Sequence, residues 1–158
     1  MKTCKKWVVL LFVVLVAACN PAADSPETAR KYLLASPSWK ITEVYVNDAL
    51  SYKDGKVVEN FGGPVFNRYM QSVQFREDGA FVGQYEEKEE PNVLHWEIDQ
   101  KDDIILVTAA DSTQDNRSGW SIAPRDVRKD YFEMTTETAA FSYPNVLRIR
   151  LVFVNKDL

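Results

Sequence analysis

Sulfur and imidazole are nearly missing from this chain of 158 residues, which has two cysteines, Cys4 and Cys19, and a single histidine, His95. That supply is too small for a structural zinc site, which takes about four Cys or His ligands, and too small for a disulfide framework. Glu97 follows His95 on the same strand face and would supply a base with its orienting carboxylate. However, no serine or cysteine nucleophile is placed beside the pair. Polar residues alternating with Leu94, Trp96 and Ile98 are also what the outer face of a strand carries. The acidic runs Glu86, Glu87, Glu89, Glu90 and Asp102, Asp103 lack the spaced oxygen ligands and glycine of a calcium loop. They read as solvated turns. No nucleotide-binding loop is present either, so the chain is expected to be non-enzymatic, with no metal and no cofactor. Long apolar runs are also lacking. The run from Trp7 to Ala18 covers 12 residues, short of the roughly 20 that a membrane-spanning helix needs.

That run does have the layout of an export signal, with a charged start (Lys2, Lys5, Lys6), an apolar stretch from Trp7 to Leu15, and then Val16, Ala17, Ala18 and Cys19. The segment resembles the lipobox of bacterial lipoproteins. The resemblance implies cleavage before Cys19, a diacylglycerol on its sulfur and a further acyl chain on the freed amino group. Two or more buried chains suffice for stable anchoring. Asn20 stands where an aspartate would, by the same resemblance, retain a lipoprotein in the inner membrane, so the expected location is the outer membrane, on a side the sequence does not indicate. The expected organisation is a signal over 1–18, a lipidated cysteine and tether over 19–25, and one folded domain over 26–158. Cleavage would leave 140 residues with 16 basic against 23 acidic side chains, a balance of −7. Such a surface is repelled by nucleic acid and by anionic lipid, so the expected link to the membrane is the acyl chains on Cys19. Cys4 would leave with the signal and Cys19 would be alkylated, so no internal disulfide could form.

Ser25, Pro26 and Glu27 read as an N-cap, a first-turn proline and a dipole-matched carboxylate. With Ala29, Tyr32 and Leu33 on one face, they predict a helix over 26–34, ended by Ser36 and Pro37. From Trp39 the apolar period changes to two, the mark of half-buried strands. Trp39, Ile41 and Tyr45 are expected on one face of a first strand, Val73 and Phe75 in a second, and Phe81, Gly83 and Tyr85 in a third. Asp78 and Gly79 join the last two as a hairpin, because Asp-Gly supplies the positive φ angles of a tight turn. Leu94, Trp96 and Ile98 mark a fourth strand, and Ile104–Thr108, apolar on both sides, a fifth with both faces covered. Strands follow near Trp120–Ala123 and Tyr131–Thr136, and a last one alternates Leu147, Ile149, Leu151 and Phe153 with Arg148 and Arg150. Eight strands in succession predict a mainly β, antiparallel up-and-down barrel with a short N-terminal helix, since closure removes exposed edges.

Ser38-Trp39-Lys40-Ile41, Phe75-Arg76-Glu77-Asp78-Gly79-Ala80-Phe81 and His95-Trp96-Glu97-Ile98 resemble the lipocalin-like lipoproteins of bacterial envelopes, over roughly 34–154. The resemblance implies that Trp39 closes one end of the barrel with Arg148 or Arg150 packed across it. Pro37 occupies the place of the glycine usual two residues before that tryptophan. The resemblance also implies that the connection 48–69, with Tyr52, Phe61, Phe66 and Tyr69, lies across the open mouth as a lid. The same aromatics read equally well as a plug of the barrel end. An eight-stranded barrel is either filled by side chains or holds one small ligand. Phe75, Phe81, Tyr85, Trp96 and Ile98 are the candidate lining. Gly83 reads as a β-bulge, or else as local space. The expected function is non-catalytic binding of a small apolar or amphipathic molecule by a lipid-anchored envelope protein. The alternative is a filled-core module that docks an envelope protein or a glycan.

Overall fold

A computed structural model of the chain describes residues 20–58, 69–85, 90–109, 119–137 and 146–155. The leader, Cys19, Phe61, Phe66 and the acidic run 86–89 lie outside the described residues. Helix α1 (Pro26–Ala35) starts as its sequence dictates. Ser25 is extended, its Oγ accepts from the Thr28 amide at 3.2 Å, and Pro26 fills a first-turn position. The helix runs one residue past the expected end. Ala29 and Leu33 are buried beneath it.

Ten strands follow among the described residues: β1 (Trp39–Val46), β2 (Ala49–Lys53), β3 (Lys56–Val57), β4 (Ser72–Phe75), β5 (Ala80–Gln84), β6 (Asn92–Asp99), β7 (Ile104–Thr108), β8 (Trp120–Ile122), β9 (Tyr131–Glu137) and β10 (Arg148–Asn155). Strands β4 to β10 pair antiparallel in chain order, and β1 joins β4 on one side and β10 on the other. The result is a closed, eight-stranded, up-and-down antiparallel barrel of lipocalin-like form, with one short α-helix among the described residues. The β2–β3 hairpin is an addition to β1. Its turns, Asn47-Asp48 and Asp54-Gly55, both carry two consecutive positive φ angles, the backbone twist that suits a two-residue hairpin. The long connection expected between the first two strands is therefore partly a hairpin.

Several local expectations are corrected. In β1 a register shift between Ile41 and Glu43 reverses the alternation, so Trp39, Ile41, Val44 and Val46 are buried and Tyr45 leaves the inner face. A bulge inserts one residue and flips every side chain after it. The bulge expected at Gly83 is absent, because Gly83 pairs regularly with Val73 and Asn92. The Asp78-Gly79 hairpin forms with a positive φ at Gly79 only. The Arg76 carbonyl accepts from Gly79 N at 3.2 Å, and Asp78 Oδ1 accepts from Ala80 N at 3.0 Å. This is a β-turn followed by a left-handed glycine rather than a two-residue turn. The outer face of β7 is not fully covered, since Ile104 and Leu106 are only half-buried. Leu147 lies before β10 and is exposed, and Asn47 Oδ1 accepts from its amide at 2.8 Å.

Candidate functional site

Strand directions give the barrel two unlike ends. One carries the tight 76–79 and 100–103 turns, the 3₁₀ turn Pro124–Asp126 and helix α1, and is closed. The other carries the Asn47-Asp48 turn and the strand ends joined by 59–68, 86–89, 110–118 and 138–145.

The closed end is packed by rings. Trp39 is fully buried, meets Phe132 edge-on at 5.2 Å, and donates its indole N–H to the Leu33 carbonyl of α1 at 3.0 Å. Phe75 makes edge contacts with Phe81, Trp96 and Phe132 at 5.0, 5.5 and 5.4 Å, and Phe132 stacks on Phe153 at 4.9 Å. Trp96 donates to the Arg76 carbonyl at 3.0 Å, and the Arg30 guanidinium of α1 lies 5.9 Å from its ring. Each such aromatic pair contributes about 0.5–1.5 kcal/mol beyond the area it buries. Of the five lining candidates, Phe75, Phe81, Trp96 and Ile98 thus belong to the closed end. Only Tyr85 stands near the other.

Arg148 and Arg150 do not close the barrel over Trp39. They alternate with inward Ile149 and Leu151 and so face outward. Arg148 pairs with Asp48. The Arg150 guanidinium lies over the Tyr45 ring at 3.9 Å and donates to Glu133 Oε2 at 2.8 Å. Tyr45 donates to Glu43 Oε2 at 2.6 Å, and Lys53 Nζ lies 2.9 Å from Glu43 Oε1. Lys53 and then Tyr45 hold the Glu43 carboxyl below the usual carboxylate range, and the bond to Glu43 pushes the Tyr45 phenol up. The helix does the closing that the resemblance assigned to an arginine.

Toward the mouth, packing is uneven: Val46, Val107 and Ile149 stay buried. Leu94, Asn92 and Trp120 share the inward parity of Trp96, Gly83 and Val107 and are only half-buried, as is Tyr85. Thr136 is a buried polar residue on the inner face, opposite Ile149. Tyr52 and Tyr69 come together at 4.5 Å, beside the place where β2 replaces β4 along β1. Burial, and next the hydrogen bond with Tyr52, push the Tyr69 phenol above its ordinary range. Met70 occupies the space beside Gly83: a Cβ there would meet its Sδ at 2.1 Å. The sequence offers no signal for Met70 or Thr136, whereas the parity of Leu94 and Trp96 places Asn92 on the inner wall.

No protein-family model, curated protein or solved structure matches the chain. His95 and Glu97 stand exposed on the outer wall with Nε2 and Oε2 3.8 Å apart. The His95 ring packs over the Gly79 turn, where a Cβ would meet it at 3.0 Å. Among the described residues, no three or more His, Cys, Asp or Glu side chains are grouped to hold a metal ion, and no helix is long and apolar enough to cross a membrane.

Proposed function

We propose that this chain is a lipid-anchored envelope protein, tethered through Cys19, whose barrel binds one small apolar or amphipathic molecule without transforming it. The observation that carries this reading is a half-buried stretch of inner wall toward the mouth, after β5 and on β6 and β8. Trp39, Phe75, Phe81, Trp96 and Phe132 are buried at the closed end, whereas Tyr85, Leu94, Asn92 and Trp120 are half-buried at the mouth. An apolar wall with a few polar groups, here Asn92 and Thr136, is the usual character of a small-molecule site. The signal layout and the lipobox resemblance support export and lipidation, with the outer membrane as the proposed location.

The test is native mass spectrometry of the mature protein from an envelope compartment, followed by solvent extraction. A stoichiometric adduct, absent from a Leu94→Trp variant that would fill the mouth, is the expected result. Trp96 is the wrong residue for this test, since its loss would unpack the closed end. A protein that emerges empty and takes up neither fatty acids nor apolar dyes would sink the carrier reading.

A second reading, an interaction module that docks an envelope protein or glycan, is favoured by surface features near the mouth. Leu147 is 73% exposed beside an open groove of about 470 Å³ lined by Asn47, Asp48, Leu147 and Arg148, and Val57, Val58 and Val93 are also exposed.

A further inference from the structure

The segment expected to be a tether is bound to the barrel. The Ala23 amide donates to the Val127 carbonyl at 2.8 Å and its side chain is buried. Asn20 donates from Nδ2 to Asp130 Oδ1 and accepts from Arg128 at its carbonyl. Val127, Arg128 and Asp130 all belong to the turn between the 3₁₀ segment and β9, at the closed end. Arg128 is itself held by Tyr131, its Nε 3.3 Å from the phenol and its guanidinium 5.7 Å from the ring. Consecutive Cα atoms lie about 3.8 Å apart, so the lipidation position is separated from this pinned residue by a single peptide unit.

A flexible spacer would let the domain tumble over the bilayer. A pinned one cannot. Resting on the lipid-anchor reading, we infer that the closed end is the face the barrel turns to the membrane, and that the mouth points away from it. Helix α1, Arg125 and Lys129 then lie next to the headgroups. Acidic Asp24, Asp126 and Asp130 are mixed among the basic side chains there, so the acyl anchor rather than net charge makes the contact. The four large apolar side chains that stand exposed among the described residues, Val57, Val58, Val93 and Leu147, follow the strand ends toward the mouth side or flank it. A ligand therefore enters from the aqueous compartment or from a soluble partner, and is not drawn from the leaflet that holds the anchor.

The mature chain would carry no free thiol, so one introduced cysteine can be labelled alone. The full-length lipidated protein is reconstituted in phosphatidylethanolamine/phosphatidylglycerol vesicles, with a fluorophore at Lys129→Cys or Arg125→Cys for the closed end and at Val93→Cys for the mouth side. All three positions are exposed. A headgroup-borne quencher is expected to quench the closed-end labels several-fold more strongly than the mouth label. Removing the Asn20 contacts with Arg128→Ala and Asp130→Ala, which leaves the Ala23–Val127 bond in place, is expected to narrow that difference. Equal quenching in the unaltered background, or stronger quenching at Val93→Cys, would overturn the orientation. An undiminished difference in that variant would overturn the part assigned to the Asn20 contacts. The mass of the N-terminal peptide separates the two layers of inference. An acylated Cys19 with symmetric quenching defeats the orientation alone, and an unacylated Cys19 defeats the anchor reading and the orientation with it.

Discussion

Gly83 and Met70 show how one residue's absence of a side chain becomes another's position. The thioether of Met70 lies where the Cβ of any other residue at position 83 would be, and methionine suits such a gap because it is flexible. Gly83→Ala is expected to cost about 1 kcal/mol, since overpacking a filled site forces the neighbour out of place. Met70→Ala in the same chain is expected to recover much of that loss, a coupling that a double-mutant cycle in urea would measure. Additive losses would mean that the two side chains do not share the space. Trp39 is the converse case, in which a large residue was legible from the sequence but its partner was not. Its place at the start of the first strand marked it as inward-facing, and the family resemblance implied a closing role. That the Leu33 carbonyl accepts its N–H depends on where the helix lands.

Along the elements, alternation determined most of the burial and the β1 bulge changed the rest. Before the shift the even residue Lys40 is exposed; after it the even residues Val44 and Val46 are buried. Glu43 and Tyr45 are thereby turned to the outer wall, where they meet Lys53 and Arg150. This arrangement has a pH signature. The Glu43 carboxyl is depressed, by Lys53 first and Tyr45 second, so its contribution is present above the unfolded glutamate value of about 4.3 and is lost as pH falls through the lower folded value. Glu43→Gln is expected to be less stable than the parent by roughly 0.5–1 kcal/mol at pH 7, a figure kept small because Lys53 is solvent-exposed. The gap should close as pH falls below about 4, which thermal unfolding across pH 2.5–7 would follow. A gap independent of pH would show that packing, not the carboxylate, is what the glutamine disturbs.

For the whole molecule, closure distributes support unevenly among strands. Strand β10 is paired through seven positions with β9 and seven with β1. Strand β3 is paired at two positions with β2, and β8 meets β9 at one. Local opening free energies range from near zero to the global value according to such support. Native-state amide exchange is therefore expected to be slowest in β9, β10 and β1, and to be fast in β3. Equal protection in β3 and β10 would contradict this ranking. The same closure gives the molecule its polarity, with rings and helix at one end and the Asn47-Asp48 turn at the other.

The sequence by itself determined the eight barrel strands, their up-and-down order, the capped helix and the buried character of Trp39, Phe75, Phe81 and Trp96, but not the β2–β3 hairpin, because alternation, turn chemistry and caps act over a few residues. Those are short-range effects and survive as pattern. Only the tertiary structure decided that Phe75, Phe81 and Trp96 pack at one end rather than along a chamber, that Met70 fills the space beside Gly83, and that Asn20 is pinned to the turn after the 3₁₀ segment. Each of these joins residues distant in the chain, through contacts whose geometry depends on shear, bulge and closure together, and no local period records them.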